Sequence, residues 1–301
     1  MTVIESHNQR TALAAGLSAY LIWGVIPLFF QVLDFASAAE VVMHRVIWAV
    51  PALGIILAAA GKLREATTAL RNTRVLLTLI ATSLIISVNW FGFTWAVTNG
   101  QVLQASLGYY INPLMSVAVG VVVLREPLGP WRIAAIVLAT LGVLNLIIAG
   151  GEVPWVALML ATSFTAYGYL RKTVAVDGRV GLFWEAVIMT PFMLAGLYWL
   201  ATTGEMHFFD GAYEAALLIS AGIVTAVPLM FYIIGARGLR LSTMGIMQFI
   251  APTLQFVIGM LGGEPFTTAH MVTFGLIWAG VATFTYSQLR RQGREPATDA
   301  K

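Results

Sequence analysis

The chain has 301 residues, 59% of them hydrophobic and only 10% charged, with no cysteine, and its mean hydropathy is +0.83. Soluble domains run at about 45–50% apolar and about 25% charged, so a soluble globule, a disordered tail and a disulfide-built secreted domain are all excluded. Without cysteine there is no thiolate zinc site or iron–sulfur cluster, and His7, His44, His207 and His270 stand singly without metal-ligand spacing, so neither a metal nor a cofactor is expected.

A helix rising about 1.5 Å per residue needs about 20 apolar residues to cross a hydrocarbon core about 30 Å thick. Ten such runs follow one another: 11–33, 39–60, 75–97, 102–124, 131–149, 154–173, 180–202, 213–236, 241–262 and 269–289. Unpaired backbone is not tolerated in lipid, so each run must be helical. Ala36-Ser37-Ala38 has the small-residue pattern of a signal-peptidase site. The preceding run is longer than a signal core and holds Trp23, Gly24 and Pro27, so it is read as a span.

The loops agree with that count. Lys and Arg fall in the N-terminal tail, in every second loop and in the C-terminal tail, with Arg45 as the exception. The remaining loops hold Asp34, Glu152, Glu205, Asp210 and Glu264 instead. The positive-inside rule makes the cationic side cytoplasmic, with both termini there. The basic isoelectric point, near 9.3, therefore reflects membrane orientation rather than nucleic-acid binding.

An internal repeat is visible. Tyr110-Ile111-Asn112-Pro113-Leu114 in the fourth span is followed by Glu126-Pro127, and Phe249-Ile250-Ala251-Pro252-Thr253 in the ninth by Glu264-Pro265. The same register pairs Pro51 with Pro191 and Gly142 with Gly280. The fold class is thus an all-α polytopic membrane protein of ten transmembrane helices, two five-helix repeats covering 1–150 and 151–301. Five is odd, so the second repeat is inverted, a recurring plan of secondary transporters whose sites lie near the midplane. Pro113 and Pro252 each fall about 16 Å into their spans, near mid-bilayer, where a proline removes a helical hydrogen bond. One such proline reads as a packing kink; two at matching depth point to a cavity-lining or gating role.

His44-Arg45-Val46-Ile47-Trp48, Asn89-Trp90, Ala105 to Pro113, Tyr167-Gly168 with Arg171-Lys172, Gly222 to Thr225, Val227-Pro228-Leu229, Arg240 to Thr243, Gln248 and Ala251-Pro252-Thr253-Leu254 occur in order along the chain. In this the sequence resembles the RarD subfamily of the EamA family, in the drug/metabolite transporter superfamily, although glycine is more usual at Ala251. The resemblance implies ten helices in two inverted repeats, a bacterial inner-membrane location, and movement of small metabolites or drugs.

Candidate functional residues are those that hydrocarbon tolerates least. Ionisable groups inside a membrane mark function by default, which selects Arg45 and Glu185, with His44 and Glu40 near the end of the second span. Arg45 and Glu185 are equivalent in the repeat, yet inversion puts them at different depths, about 15 Å or more apart, so they are expected to serve as separate gating or coupling charges rather than as an ion pair. Snorkelling to the nearer headgroups is the competing role, and Glu40 with His44 fits a local i,i+4 pair. A second set, Trp23, Asn89, Trp90, Tyr109, Tyr110, Asn112, Tyr167, Gln248, Phe249 and Gln255, combines aromatic faces with neutral amides and is expected to bind solute. Interhelical hydrogen bonding is the competing role for each amide. The fifth and tenth spans, with small-residue faces at Ala135 and Ala139 and at Gly275 and Ala279, are expected at the periphery, packing against neighbours or lipid.

The expected function is secondary transport, in the direction of export, of a neutral, zwitterionic or amphiphilic small solute. The expected partners are that solute and membrane lipid. No phosphate-binding glycine loop is present to use ATP, and no close carboxylate pair or metal cluster suits the competing reading, a membrane enzyme on lipid-linked substrates. A non-transporting assembly subunit or sensor is a third reading, which leaves the proline-bearing inverted repeats unexplained.

Overall fold

A computed structural model describes residues 3–124, 129–151, 153–239 and 241–292. The described residues form twelve α-helices: α1 (Val3–Gln31), α2 (Ala38–Ala59), α3 (Leu63–Ala69), α4 (Thr73–Thr98), α5 (Val102–Leu124), α6 (Pro130–Gly150), α7 (Trp155–Thr173), α8 (Gly178–Thr203), α9 (Ala212–Gly238), α10 (Leu241–Met247), α11 (Ile250–Leu261) and α12 (Thr268–Gln292). Seven of them, α1, α2, α4, α6, α8, α9 and α12, are each long and apolar enough to cross a membrane. The fourth and sixth expected spans are α5, with 23 residues, and α7, with 19, or roughly 28–35 Å of helix. The ninth is divided between α10 and α11.

Local chemistry sets the ends. The side chains of Ser37, Asn72 and Asp177 accept from backbone N–H groups in the first turns of α2, α4 and α8, satisfying donors that a helix start leaves free. Gly204 closes α8 with φ of 77°, a left-handed conformation that favours glycine. Helix α3, which apolar run length does not reveal, docks on the start of α8, where Trp184 Nε1 donates to Ala66 O at 2.8 Å.

The two midplane prolines behave differently. Helix α5 runs through Pro113 without interruption. In the ninth span, helix stops at Met247 and resumes at Ile250. Pro252 has no N–H to offer the carbonyl of Gln248, one turn back, and Phe249 N closes instead on Ile246 O, at 3.2 Å. Ser106 Oγ donates to Pro252 O at 2.8 Å, tying α5 to α11 just beyond the break.

The helices pack in corresponding pairs. α1 lies on α9 and α4 on α7; α5 lies on α7 and α1 on α11; α2 lies on α9 and α4 on α8. Three further contacts join α2 to α8, α5 to α11 and α6 to α12. Two faces of the molecule are fixed by contacts between loops. At one, Lys62 Nζ lies 3.6 Å from Asp177 Oδ2, and Asp177 N donates to Glu65. At the other, Glu264 accepts from Val102 N and Leu103 N at 2.6 and 2.7 Å. Its repeat counterpart Glu126 lies outside the described residues.

Apolar side chains point outward in helical stripes, as a lipid-facing surface requires. Ile133, Val137, Leu141, Leu144 and Ile148 form one such stripe on α6, and Leu77, Ile80, Leu84, Val88 and Phe91 another on α4. Helices α6 and α12 pack chiefly on each other, with Ala135 and Ala139 buried as expected. On α12, Gly275 and Ala279 are exposed, as a lipid-facing surface would be, while Thr273, Ile277 and Gly280 face α6. A Cβ added at Gly142 would lie 3.0 Å from Ile277 and 3.1 Å from Thr273 O, and one at Gly280 would lie 3.0 Å from Ala135 O. Thr273 Oγ1 donates to Gly142 O across this seam. Overpacking costs about 1–3 kcal/mol, so Gly142→Val should lower the thermal midpoint of the purified protein, while Gly275→Val, with open space around it, should leave it unchanged. Equal midpoints for both variants would contradict this packing.

Candidate functional site

Two buried charges organise the interior. Arg45 is 7% exposed and sits roughly 10 Å along α2 from the face that carries Glu264. Trp90 on α4 and Tyr109 on α5 lie at about the same depth. The guanidinium carbon stands 4.5 Å from the centroid of Trp90 and 5.5 Å from that of Phe30, and Nε donates to Thr225 Oγ1 at 2.7 Å. Among the described residues no carboxylate lies within ion-pair distance of Arg45, and its Nη1 is buried without a hydrogen-bond partner. Burying an ion costs several kcal/mol; a desolvated cation–π contact returns about 2 kcal/mol and one charged hydrogen bond about 1.5–3 kcal/mol. The positive charge is thus held in place without being neutralised.

Glu185 is 1% exposed and lies roughly 10 Å into α8 from the opposite, cation-rich face. Its Oε1 accepts from Thr82 Oγ1 at 2.6 Å, and its Oε2 accepts from the Tyr167 hydroxyl at 3.0 Å. Arg171 Nε stands 3.7 Å from Oε1, and Arg171 Nη2 donates to Gly178 O. A Cβ at position 181 would overlap the Arg171 guanidinium, so a larger residue there would displace that side chain from its place beside Glu185.

The two arrangements correspond. Arg45 on α2 is held by a threonine of α9 and covered by an aromatic ring of α1. Glu185 on α8 is held by a threonine of α4 and touched by an aromatic ring of α7. Arg45 and Glu185 have separate partners and do not pair with each other. Glu185 has a cation beside it, whereas among the described residues Arg45 has no anion within ion-pair distance. Sequence reading misses Arg171, which counts as a loop cation, and also Thr82, Thr225 and Phe30, whose residue types carry no signal of their own.

The remaining candidates divide by what they touch. Asn89 is buried and donates to Leu160 O and Ser163 Oγ, joining α4 to α7. Gln255 donates to Trp23 O, joining α11 to α1, and Asn112 accepts from Thr165 Oγ1 across α5 and α7. These amides make the interhelical bonds that hydrocarbon demands. The Tyr110 hydroxyl pairs with Thr253 Oγ1 at 2.7 Å, and its ring stacks on Phe249. Trp23 packs against Tyr20 and Tyr232. Gln248 is half-buried at the break in the ninth span, and Pro113 and Pro252 are buried.

At the face carrying Glu264, the expected Glu40–His44 pair is present at 4.0 Å and is joined by a closer, longer-range contact. The buried Glu40 carboxylate accepts from His207 N at 2.8 Å, and its other oxygen lies 3.0 Å from His207 Nδ1. His44 Nε2 stands 4.0 Å from Glu40, while His44 Nδ1 accepts from Trp48 Nε1 and its ring stacks on Phe208. The loop after α8 is thereby fastened over the start of α2. The Glu40 carboxylate beside His207 raises the imidazole pKa above its ordinary value. A raised histidine pKa contributes stability that is fully present below about pH 6.5 and is lost as pH rises through the raised value. At the other face, Arg179 beside Asp177 holds that carboxyl well below the usual range. The thermal advantage of the native chain over His207→Gln should therefore be larger at pH 6 than at pH 9; an advantage that does not vary with pH would contradict the pairing.

Residues 10–148 match the EamA-like transporter family. The chain is 39% identical to the protein RarD of Streptomyces exfoliatus, over 97% of this chain and 93% of that one. It is 34% identical to the protein RarD of Escherichia coli K12, over 97% and 99%, and 36% identical to an uncharacterized transporter of Vibrio cholerae, over 95% of each. A crystal structure at 20% identity superposes with a TM-score of 0.59, covering 95% of this chain and 99% of that one, a likeness of fold alone. With its apolar helices and full-length relatives, the chain is a multi-pass bacterial membrane transporter, and it belongs to the RarD subfamily of the EamA family in the drug/metabolite transporter superfamily.

Proposed function

We propose that this transporter is a secondary carrier that exports a small organic solute by alternating access between two inverted five-helix halves, residues 1–150 and 151–301. The observation that carries the reading is the corresponding pair of buried charges at opposite depths, Arg45 with Thr225 and Phe30, Glu185 with Thr82 and Tyr167. Exchange of halves turns the α1–α9 contact into α4–α7 and the α5–α7 contact into α1–α11, and leaves α2–α8, α5–α11 and α6–α12 in place. That exchange supports an axis in the membrane plane. Solute would sit between α1, α4, α5 and α11, meeting Trp23, Trp90, Tyr109 and Gln248 first, with the break at Gln248 and Phe249 as the flexible wall. Arg45 and Glu185 act at the two approaches, and Glu185 can take and release the proton that drives export. The cation-rich face and both termini lie in the cytoplasm, with the chain in the inner membrane.

Purified protein in proteoliposomes should move a solute that raises its thermal midpoint, since a ligand that prefers the folded state stabilises it. Glu185→Gln should reduce pH-gradient-driven flux at least tenfold while sparing solute exchange across the membrane. Equal driven flux in both proteins would remove Glu185 from coupling, and absence of flux for every stabilising solute would end the carrier reading. Single cysteines at Lys62 and Glu205 should label from opposite sides of the membrane; labelling from one side contradicts the orientation.

A further inference from the structure

We infer that the Arg45 pocket binds a single carboxylate of the transported solute, so that the substrate class is monocarboxylates with an aromatic or apolar body, zwitterions included. This rests on the carrier reading and adds the chemistry of its ligand. Arg45 is more than nine-tenths buried, and among the described residues one of its terminal nitrogens has no hydrogen-bond partner and no carboxylate lies within ion-pair distance. The corresponding pocket around Glu185 is internally balanced, because Arg171 supplies the opposite charge there. Half of an ion pair is thus built into the chain at Glu185's counterpart, and a guanidinium fork suits a planar carboxylate.

The surroundings of Arg45 define the rest of the ligand. Trp90 and Phe30 face the guanidinium, and Tyr109, next to Arg45 in its field, packs edge-on against Phe93. A ligand whose carboxylate meets Nη1 therefore lays its body against aromatic faces, which favour flat or apolar groups. Among the described residues no second cation flanks the pocket, so a dicarboxylate would bring one charge too many into a water-poor site. Thr225 holds Nε and orients the fork, a positioning role.

Phenylacetate and phenylacetamide test this, because they share shape and differ in charge. Binding to the purified full-length protein in detergent is read from tryptophan fluorescence excited at a wavelength the probes do not absorb. The native chain should bind phenylacetate at least tenfold more tightly than phenylacetamide, and phenylmalonate more weakly than phenylacetate. Arg45→Gln should abolish the preference for acid over amide, Arg45→Lys should keep part of it, and Thr225→Val should weaken phenylacetate more than phenylacetamide. Equal affinity of acid and amide in the native chain, no binding of phenylacetate, or an undiminished preference in Arg45→Gln would overturn the inference. The native comparison stands even if a variant does not fold. Preference for the acid without any flux in proteoliposomes would sustain this pocket and sink the carrier reading, whereas flux of neutral solutes with no acid preference would do the reverse.

Discussion

Hydrocarbon gives no hydrogen bond to a backbone amide and no solvation to a charge, and the architecture of this chain follows from that. Backbone groups are satisfied within helices, so every expected span is helical, and among the described residues irregular backbone at membrane depth is confined to Gln248 and Phe249. Charges cannot be treated so locally. Arg45 recruits α1, α4 and α9 around itself, and Glu185 recruits α4 and α7. Helix α4 serves both, through Trp90 towards one face and Thr82 towards the other, so a shift of α4 is felt at both pockets.

Contacts across the halves are of two kinds. Some are close and stiff, such as the glycine seam of α6 and α12, or Gly222 of α9, which leaves no room for a Cβ beside Trp48 and Ala49. Others are polar and localised at an end, such as Glu264 on the first amides of α5 or His207 on Glu40. A carboxylate on helix-start amides is favourable by charge and dipole together, and it can be made or broken without repacking a core. Such end links can part without disturbing the stiff seams, as the proposed alternating access would require.

Much of this was legible in sequence because membranes impose a length. Run length located the spans closely, α5 at its very ends, and Lys and Arg located the loops that meet at Lys62 and Asp177. Residues whose meaning depends on a distant partner were not legible. Arg171 reads as a loop cation until α7 is long enough to turn it towards Glu185. Glu40 reads as the i,i+4 partner of His44 and is that, but nothing local announces that its carboxylate also holds a loop 167 positions away. The two prolines look alike in one dimension, and only the ninth span breaks. Amides gave the weakest signal: Asn89 and Gln255 have the composition of a binding site and are engaged between helices, because a buried amide needs a partner whether or not a ligand comes.

Under the proposed alternating access, water reaches the break in the ninth span from each side in turn. The chain contains no cysteine, so Gln248→Cys provides one reporter at that point. In sealed vesicles, a membrane-impermeant thiol reagent applied to one side and then, in separate preparations, to the other should modify it from both, with a bound solute altering the two rates in opposite directions. Modification from one side only, whatever solute is present, would contradict alternating access through this centre.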